Sequence, residues 1–307
     1  MTDPYADFLA FRRSIPRPPA REKRRIGARG LEFAVWTTPP VAGATPLLCV
    51  NGGLLYAHNL LWPALSPLAE RRQLVFYDQR GRGETPAPPG ARAARIEHDA
   101  GDIPALRAAL GVERWDILGH SWGAGVALLA AAQDLDGVGR VVTAAGVGPT
   151  SEWMPALRRA ALARLAGDER EAVERMTDEM LGSDDPALQE AWSRAIYPSW
   201  FAEPSLARHF APPSVRSVTG AAVAARLRRE GYDWREPLRA LRRPVLVIHG
   251  ADDALPVAAA HALRATLPDA HVVVLPRTGH MPFWESPAAF FRSIETFLSE
   301  AMPPPPP

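Results

Sequence analysis

Short runs of β-branched and apolar residues recur along this 307-residue chain, and longer stretches with helical spacing separate them. The runs are Leu31 to Trp36, Leu47 to Val50, Leu74 to Tyr77, Trp115 to Leu118, Val138 to Ala144, Val245 to His249 and Val272 to Leu275. Several are continuous rather than alternating, the pattern of strands buried on both faces. Alternating strands and helices of this kind dictate an α/β fold, a mostly parallel sheet flanked by helices.

Helices are expected over Asn59 to Arg71, Ile96 to Leu110, Trp122 to Ala132, Val257 to Leu267 and Ser286 to Ser299. In the last of these, Ser286-Pro287 reads as an N-cap followed by proline at the first helical position. The rhythm breaks once, from about Thr150 to Trp234, where Ala, Arg, Glu and Trp recur at helical spacing without a convincing strand. The expected organisation is an N-terminal arm (1–25), a core (26–149 and 235–300), a helical cap inserted at 150–234 and a Pro-rich tail (301–307). Pro303 to Pro307 is expected to be extended and solvated. The basic run Arg21 to Arg25 is read as part of the solvated arm.

Composition narrows the class. Hydrophobic residues at 47% and charged residues at 22% belong to a chain that folds, outside the regime of disorder. Thirty-five basic against 34 acidic residues leave a formal charge of +1, so no electrostatic excess points to nucleic acid or an anionic membrane. A single cysteine, Cys49, cannot form an internal disulfide or a thiolate cage, and within Leu47 to Val50 it reads as a small buried hydrophobe. No apolar signal region and no stretch near the ~18 residues of a membrane span is seen, so a cytoplasmic location without membrane or nucleic-acid partners is expected.

The sharpest local signal is Gly119-His120-Ser121-Trp122-Gly123, set between a strand and an apolar helix. This is G-x-S-x-G in strand–turn–helix context, where glycines keep side chains from colliding around a nucleophile on a sharp turn. An acid region, His249-Gly250-Ala251-Asp252-Asp253, and a histidine region, Thr278-Gly279-His280, follow later strands, giving the chain order Ser, Asp, His. A serine hydroxyl needs a neutral imidazole to take its proton, and that imidazole needs a carboxylate to fix its tautomer. The Trp122 N–H, at a helix start, and the Gly53 N–H, in Asn51-Gly52-Gly53, are the candidate oxyanion donors.

The whole chain resembles the α/β-hydrolases over residues 25 to 300. Three segments resemble the prolyl aminopeptidase (proline iminopeptidase) family: Asn51-Gly52-Gly53, Asp78-Gln79-Arg80-Gly81-Arg82-Gly83, and Ser121-Trp122-Gly123. That family's oxyanion loop reads His-Gly-Gly-Pro-Gly, where this chain has Asn51 for the histidine and Leu54-Leu55 for Pro-Gly. The resemblance implies Ser121 as nucleophile, His280 as base, Asp253 rather than Asp252 as acid, and a structural turn without a catalytic role at Arg80. It also implies cap glutamates that hold a free ammonium group, for which Glu152, Glu190 and Glu203 are candidates. Trp153, Trp192 and Trp200 are candidates to line an apolar pocket above the serine.

The expected function is therefore a serine hydrolase cleaving a small amide or ester through an acyl-enzyme, in the manner of a prolyl aminopeptidase-like exopeptidase. A carboxylesterase or lactonase, a non-turnover binding module, and an acyltransferase using an acceptor other than water are the alternatives. The expected partner is a small-molecule or short-peptide substrate, with no cofactor and no metal. His58, His98, His209, His261 and His271 lack ligand spacing, while His120 and His249 read as packed, hydrogen-bonded histidines at strand ends.

Overall fold

Eight strands form one sheet in the order β1-β2-β4-β3-β5-β6-β7-β8. They are β1 (Glu22–Ala28), β2 (Leu31–Thr37), β3 (Leu47–Val50), β4 (Leu74–Tyr77), β5 (Trp115–His120), β6 (Val138–Ala144), β7 (Val245–Gly250) and β8 (Ala270–Leu275). The computed structural model describes residues 18–210 and 216–299, with Ala6, Ala10 and Arg13 besides. From β4 to β8 all neighbours are parallel, and β1 and β2 close one edge antiparallel.

The continuous apolar runs are strands buried on both faces. Leu48, Val50, Ile117, Val141 and Val247 pack into one hydrophobic cluster. Their chain neighbours Leu47, Cys49, Leu118, Val142 and Ile248 pack into the other. A period of two thus divides each run between two cores. Cys49 is a free, fully buried thiol in the second cluster.

Helices α1 (Ile96–Ala109) and α2 (Trp122–Gln133) pack together, and α2 also covers β5 and β6. Between β6 and β7 lie α3 (Met154–Arg164), α4 (Gly167–Arg175), α5 (Asp178–Leu181), α6 (Pro186–Ile196), α7 (Val218–Glu230) and α8 (Arg235–Arg239). This stretch contains no strand among its described residues. Its two ends are pinched together by an isolated bridge, Thr150↔Asp233, and by the Trp234 N–H on the Pro149 carbonyl at 2.8 Å. After β7 come α9 (Ala258–Thr266), α10 (Pro282–Glu285) and α11 (Pro287–Ser299). No helix among the described residues is long and apolar enough to cross a membrane.

Two expectations are corrected. Residues Glu22 to Arg25, read as solvated arm, belong to β1, which pairs with β2 from Glu22↔Thr37 to Ala28↔Leu31. An edge strand can leave its charges in water: of β1 only Ile26 is buried, and exposed charges deter further edge pairing. The helix expected over Asn59 to Arg71 is instead two 3-10 turns, His58–Leu60 and Ser66–Glu70. Pro63 and Pro67 remove backbone donors that a continuous α-helix needs. The Pro303 to Pro307 run lies outside the described residues.

Candidate active site

Register places the chemistry at the carboxyl edge of the sheet. Val50 of β3 is opposite Gly119 of β5, so the loop after β3 and the turn after β5 leave the sheet side by side. Ser121 caps α2 with φ 55° and ψ −123°, a conformation that a non-glycine residue holds only under constraint. Its N–H donates to the Ala144 carbonyl at 2.9 Å.

The flanking glycines are required sterically. A Cβ on Gly119 would stand 2.3 Å from the Gly123 carbonyl oxygen, and one on Gly123 would stand 2.3 Å from that of Val50. Gly52 faces the serine itself, since a Cβ there would lie 2.5 Å from Ser121 Cβ and 3.2 Å from its Oγ.

On the neighbouring strands, Gly250 of β7 pairs with Leu275 of β8, which brings the following loops together. His280 Nδ1 lies 2.8 Å from Asp253 Oδ2, and the other oxygen, Oδ1, accepts the Leu255 N–H at 2.9 Å. Asp253 is buried, whereas Asp252 is partly exposed. Burial lowers the His280 pKa below its ordinary value, so the resting ring is neutral. With Nδ1–H directed at Asp253, Nε2 carries the lone pair. Burial raises the Asp253 carboxyl, and His249 and the Leu255 N–H oppose that rise.

His249 donates from Nε2 to the Leu255 carbonyl at 2.9 Å. His120 Nε2 lies 2.9 Å from the His280 carbonyl oxygen, to which it donates. Both are the packed, hydrogen-bonded histidines expected.

The loop after β3 is braced from below by the Asp-Gln-Arg-Gly-Arg turn. Gln79 Nε2 donates to the Asn51 carbonyl at 2.7 Å, and Arg82 Nε donates to the Leu54 carbonyl at 2.6 Å. Arg82 Nη1 also donates to Asp99 Oδ1 at 2.7 Å in a fully buried pair, while Arg80 forks onto Asp102. Asn51 Nδ2 closes the loop on the Tyr56 carbonyl at 2.9 Å. Among the described residues the N–H groups of Gly53 and Trp122 have no hydrogen-bond acceptor, and both residues line the cavity that holds Ser121 and His280. Leu54 adopts φ 55°, a value closed to proline, so this loop follows a path that the Pro-Gly pair of the aminopeptidases does not permit.

The cavity holds about 710 Å³. Trp153, Trp192 and Trp200 line it, but Glu152, Glu190 and Glu203 do not. Glu152 and Glu203 are exposed, and Glu190 is held by Arg194 at 3.0 Å and Arg216 at 2.9 Å. Of these candidates for holding an ammonium group, two face water and the third is engaged by arginines.

Two contributions escape the sequence. The Trp200 carbonyl accepts the His280 N–H at 2.6 Å, and the indole stacks on the imidazole with centroids 4.2 Å apart. Glu285 is partly buried beside the histidine loop, and its carboxylate accepts three backbone N–H groups: Ala202 at 2.8 Å, Gly279 at 3.0 Å and Met281 at 3.0 Å. The sequence carries only a faint signal for Glu285, an acid four residues beyond Met281 at the start of a helix. Among the described residues no group of three or more His, Cys, Asp or Glu side chains is arranged to hold a metal ion.

Known proteins resemble the chain along most of its length. It is 26% identical over 295 residues to a proline iminopeptidase of Lactobacillus delbrueckii subsp. bulgaricus, covering 89% of this chain and 98% of the relative. It is 28% identical to a 2-hydroxymuconate semialdehyde hydrolase of Pseudomonas putida, covering 76% and 79%. Among solved structures, the proline iminopeptidase of Mycobacterium smegmatis superposes with a TM-score of 0.66 at 24% identity over 90% of this chain and 97% of that one, a likeness of fold. The family profile described as alpha/beta hydrolase fold matches residues 45–287, a span from β3 through the helix that carries Glu285. The strand order, the strained turn after β5 and this match agree: the chain is a hydrolase of the alpha/beta hydrolase fold family.

Proposed function

We propose that this hydrolase cleaves a small carboxylic ester or amide through an acyl-enzyme on Ser121. The observation that carries the reading is the buried Asp253–His280 hydrogen bond at 2.8 Å, beside a serine held at positive φ in the same cavity.

Ser121 Oγ attacks the substrate carbonyl while His280 Nε2 takes its proton. Asp253 holds Nδ1–H and stabilises the imidazolium that forms. The oxyanion of the tetrahedral intermediate accepts the N–H groups of Gly53 and Trp122, the latter at the positive end of α2. His280 then protonates the leaving oxygen or nitrogen, and water repeats the sequence to release the acid and free serine. Residues 150–234 act as the cap over this site.

Two substrate classes compete. An N-terminal proline amide has the support of the proline iminopeptidase relative. Its free ammonium needs an acid, however, and Asp178 is the sole carboxylate among the described lining residues. Asp178 is 97% exposed and lies 3.5 Å from Arg158. A substrate without a free amine, an ester, lactone or acylated amide, fits this cavity better.

The test compares kcat/KM for 4-nitrophenyl butyrate and for prolyl 4-nitroanilide, with fluorophosphonate labelling of wild type and Ser121→Ala. Ester turnover well above anilide turnover, with both turnover and labelling lost in Ser121→Ala, is expected. Prolyl anilide as the better substrate restores the exopeptidase reading. Labelling that persists in Ser121→Ala removes Ser121 as nucleophile.

A further inference from the structure

Several buried or partly buried arginines of this protein are paired with acids. Arg80 meets Asp102, Arg82 meets Asp99, Arg72 meets Asp116 and Arg107 meets Asp134. Arg228, like Arg21 over Trp62, is not: it is partly buried and among the described residues makes no hydrogen bond or ion pair, and unlike Arg21 it lines the cavity. Its guanidinium carbon instead lies 4.9 Å above the ring of Trp192.

Helical geometry fixes where this side chain faces. On α6 the lining residues Gln189, Trp192, Ser193 and Ile196 follow the i, i+3, i+4, i+7 spacing of one helix face. On α7 the lining pair is Ala224 and Arg228, one turn apart on one face. The Arg228 face of α7 therefore looks into the same space as the Trp192 face of α6. Arg158, which also lines the cavity, has its terminal nitrogens engaged: Nη1 lies 3.5 Å from Asp178 Oδ1, and Nη2 donates at 3.3 Å to the Val173 and Glu174 carbonyls, leaving only its buried Nε without an acceptor. Burial lowers the Arg228 pKa to about 10, with Asp178 opposing and Arg158 assisting. The group is thus a cation at neutral pH.

A partly desolvated guanidinium without a protein acceptor has a fork of N–H donors free to turn to a ligand, and a carboxylate matches that fork with two parallel bonds. Trp192 presents an aromatic face beneath the guanidinium carbon, a contact that favours arginine over lysine. Trp153, Leu157 and Trp200 supply apolar lining, suited to hydrocarbon linking a reacting carbonyl to a distal charge.

We propose that Arg228 is a specificity residue that binds a carboxylate carried by the substrate, so that the preferred substrate is an ester or amide of an ω-carboxy acid with an apolar chain. This deepens the reading of Ser121 as nucleophile and rests on it for turnover, but not for binding.

Two measurements separate the ideas. The first compares kcat/KM for the mono-4-nitrophenyl ester of adipic acid with that for 4-nitrophenyl hexanoate. Wild type should favour the carboxylate ester at least tenfold. Arg228→Gln should reduce that preference by about 10- to 100-fold, the range for loss of a hydrogen bond to a charged group. Most of the change should appear in KM, and Arg228→Lys should recover part of it. The second titrates monomethyl adipate and dimethyl adipate into Ser121→Ala by calorimetry. The monoacid should bind at least tenfold more tightly, and Arg228→Gln in the same background should erase the difference. Equal binding of the two, or a preference that survives Arg228→Gln with its melting temperature retained, overturns the proposal. If neither ester turns over while the calorimetric preference holds, the hydrolase assignment of Ser121 fails and the carboxylate site stands.

Discussion

Trp200 grips His280 twice, through a backbone hydrogen bond of 2.6 Å and through an indole stacked 4.2 Å from the imidazole. The indole is part of what keeps the ring dry, and burial is the cause of its lowered pKa. A general base works only while neutral, so activity falls as pH drops through its pKa. Trp200→Ala retains the carbonyl contact but admits water, which raises the His280 pKa. The acid limb of the kcat/KM profile on an ester should therefore move to higher pH. An unchanged limb would mean that other walls set the burial.

Asp253 and Asp252 are neighbours with different fates. Asp253→Asn replaces the acceptor facing Nδ1–H with a donor or a weaker acceptor, favouring the wrong tautomer. A loss of kcat on the order of 10⁴-fold is expected. Asp252→Asn should stay within a few-fold of wild type, because Asp252 is partly exposed and uses its backbone N–H on Thr278. Steady-state kinetics of the two variants decide it, and comparable losses would reassign the acid.

These positions were unequally legible in the sequence. Gly119 to Gly123 and the order Ser121, Asp253, His280 could be read because each element of that pattern is local: a glycine two residues away, an acid just after a strand. Trp200 reads as an aromatic that could face the pocket, but not as a backbone acceptor for His280, since carbonyls leave no trace in residue type. Glu285 leaves as little trace for the same reason, all three of its partners being main-chain N–H groups. Charge says nothing of direction: Glu190 reads in the sequence as a suitable ammonium ligand, and in the fold Arg194 and Arg216 stand on it. The edge strand Glu22–Ala28 was hidden by its own solvation.

Glu285 gives the fold a pH response. Burial is the larger influence and raises its pKa to about 7, against the opposing N–H groups of Ala202, Gly279 and Met281. An acid whose pKa is higher folded than unfolded binds more protons in the native state between the two values. Its contribution to stability is complete below the unfolded value of about 4.3 and is lost as pH rises through the folded one. Urea midpoints should show this decline between about pH 4.3 and 7, and Glu285→Gln should flatten it. Parallel profiles for the two proteins would exclude Glu285 as its source.

Leu54 offers a direct test of the loop path. Leu54→Pro, which makes the loop more like His-Gly-Gly-Pro-Gly, imposes φ near −65° where the chain has 55°. A loss of stability of about 3 kcal/mol or more, with a fall in kcat, is expected. Leu54→Gly relieves the backbone while losing a buried side chain, so its melting temperature should lie well above that of the proline variant. If proline were tolerated, the loop would be able to take the aminopeptidase path.

Val141 of β6 lies opposite Val245 of β7 in the sheet, although about a third of the chain runs between them. That long excursion leaves and returns through one neck, Thr150 against Asp233. The sheet reads straight across it, as a sentence reads across a parenthesis. Selection can therefore rewrite the excursion while leaving the sheet and the turn of Ser121 intact. Among the described residues two backbone hydrogen bonds cross the seam to the histidine loop and resist such revision: the carbonyl of Trp200 on His280, and the amide of Ala202 on Glu285. Both are backbone groups, so nearly any side chain could stand at those two positions and still hold the thread.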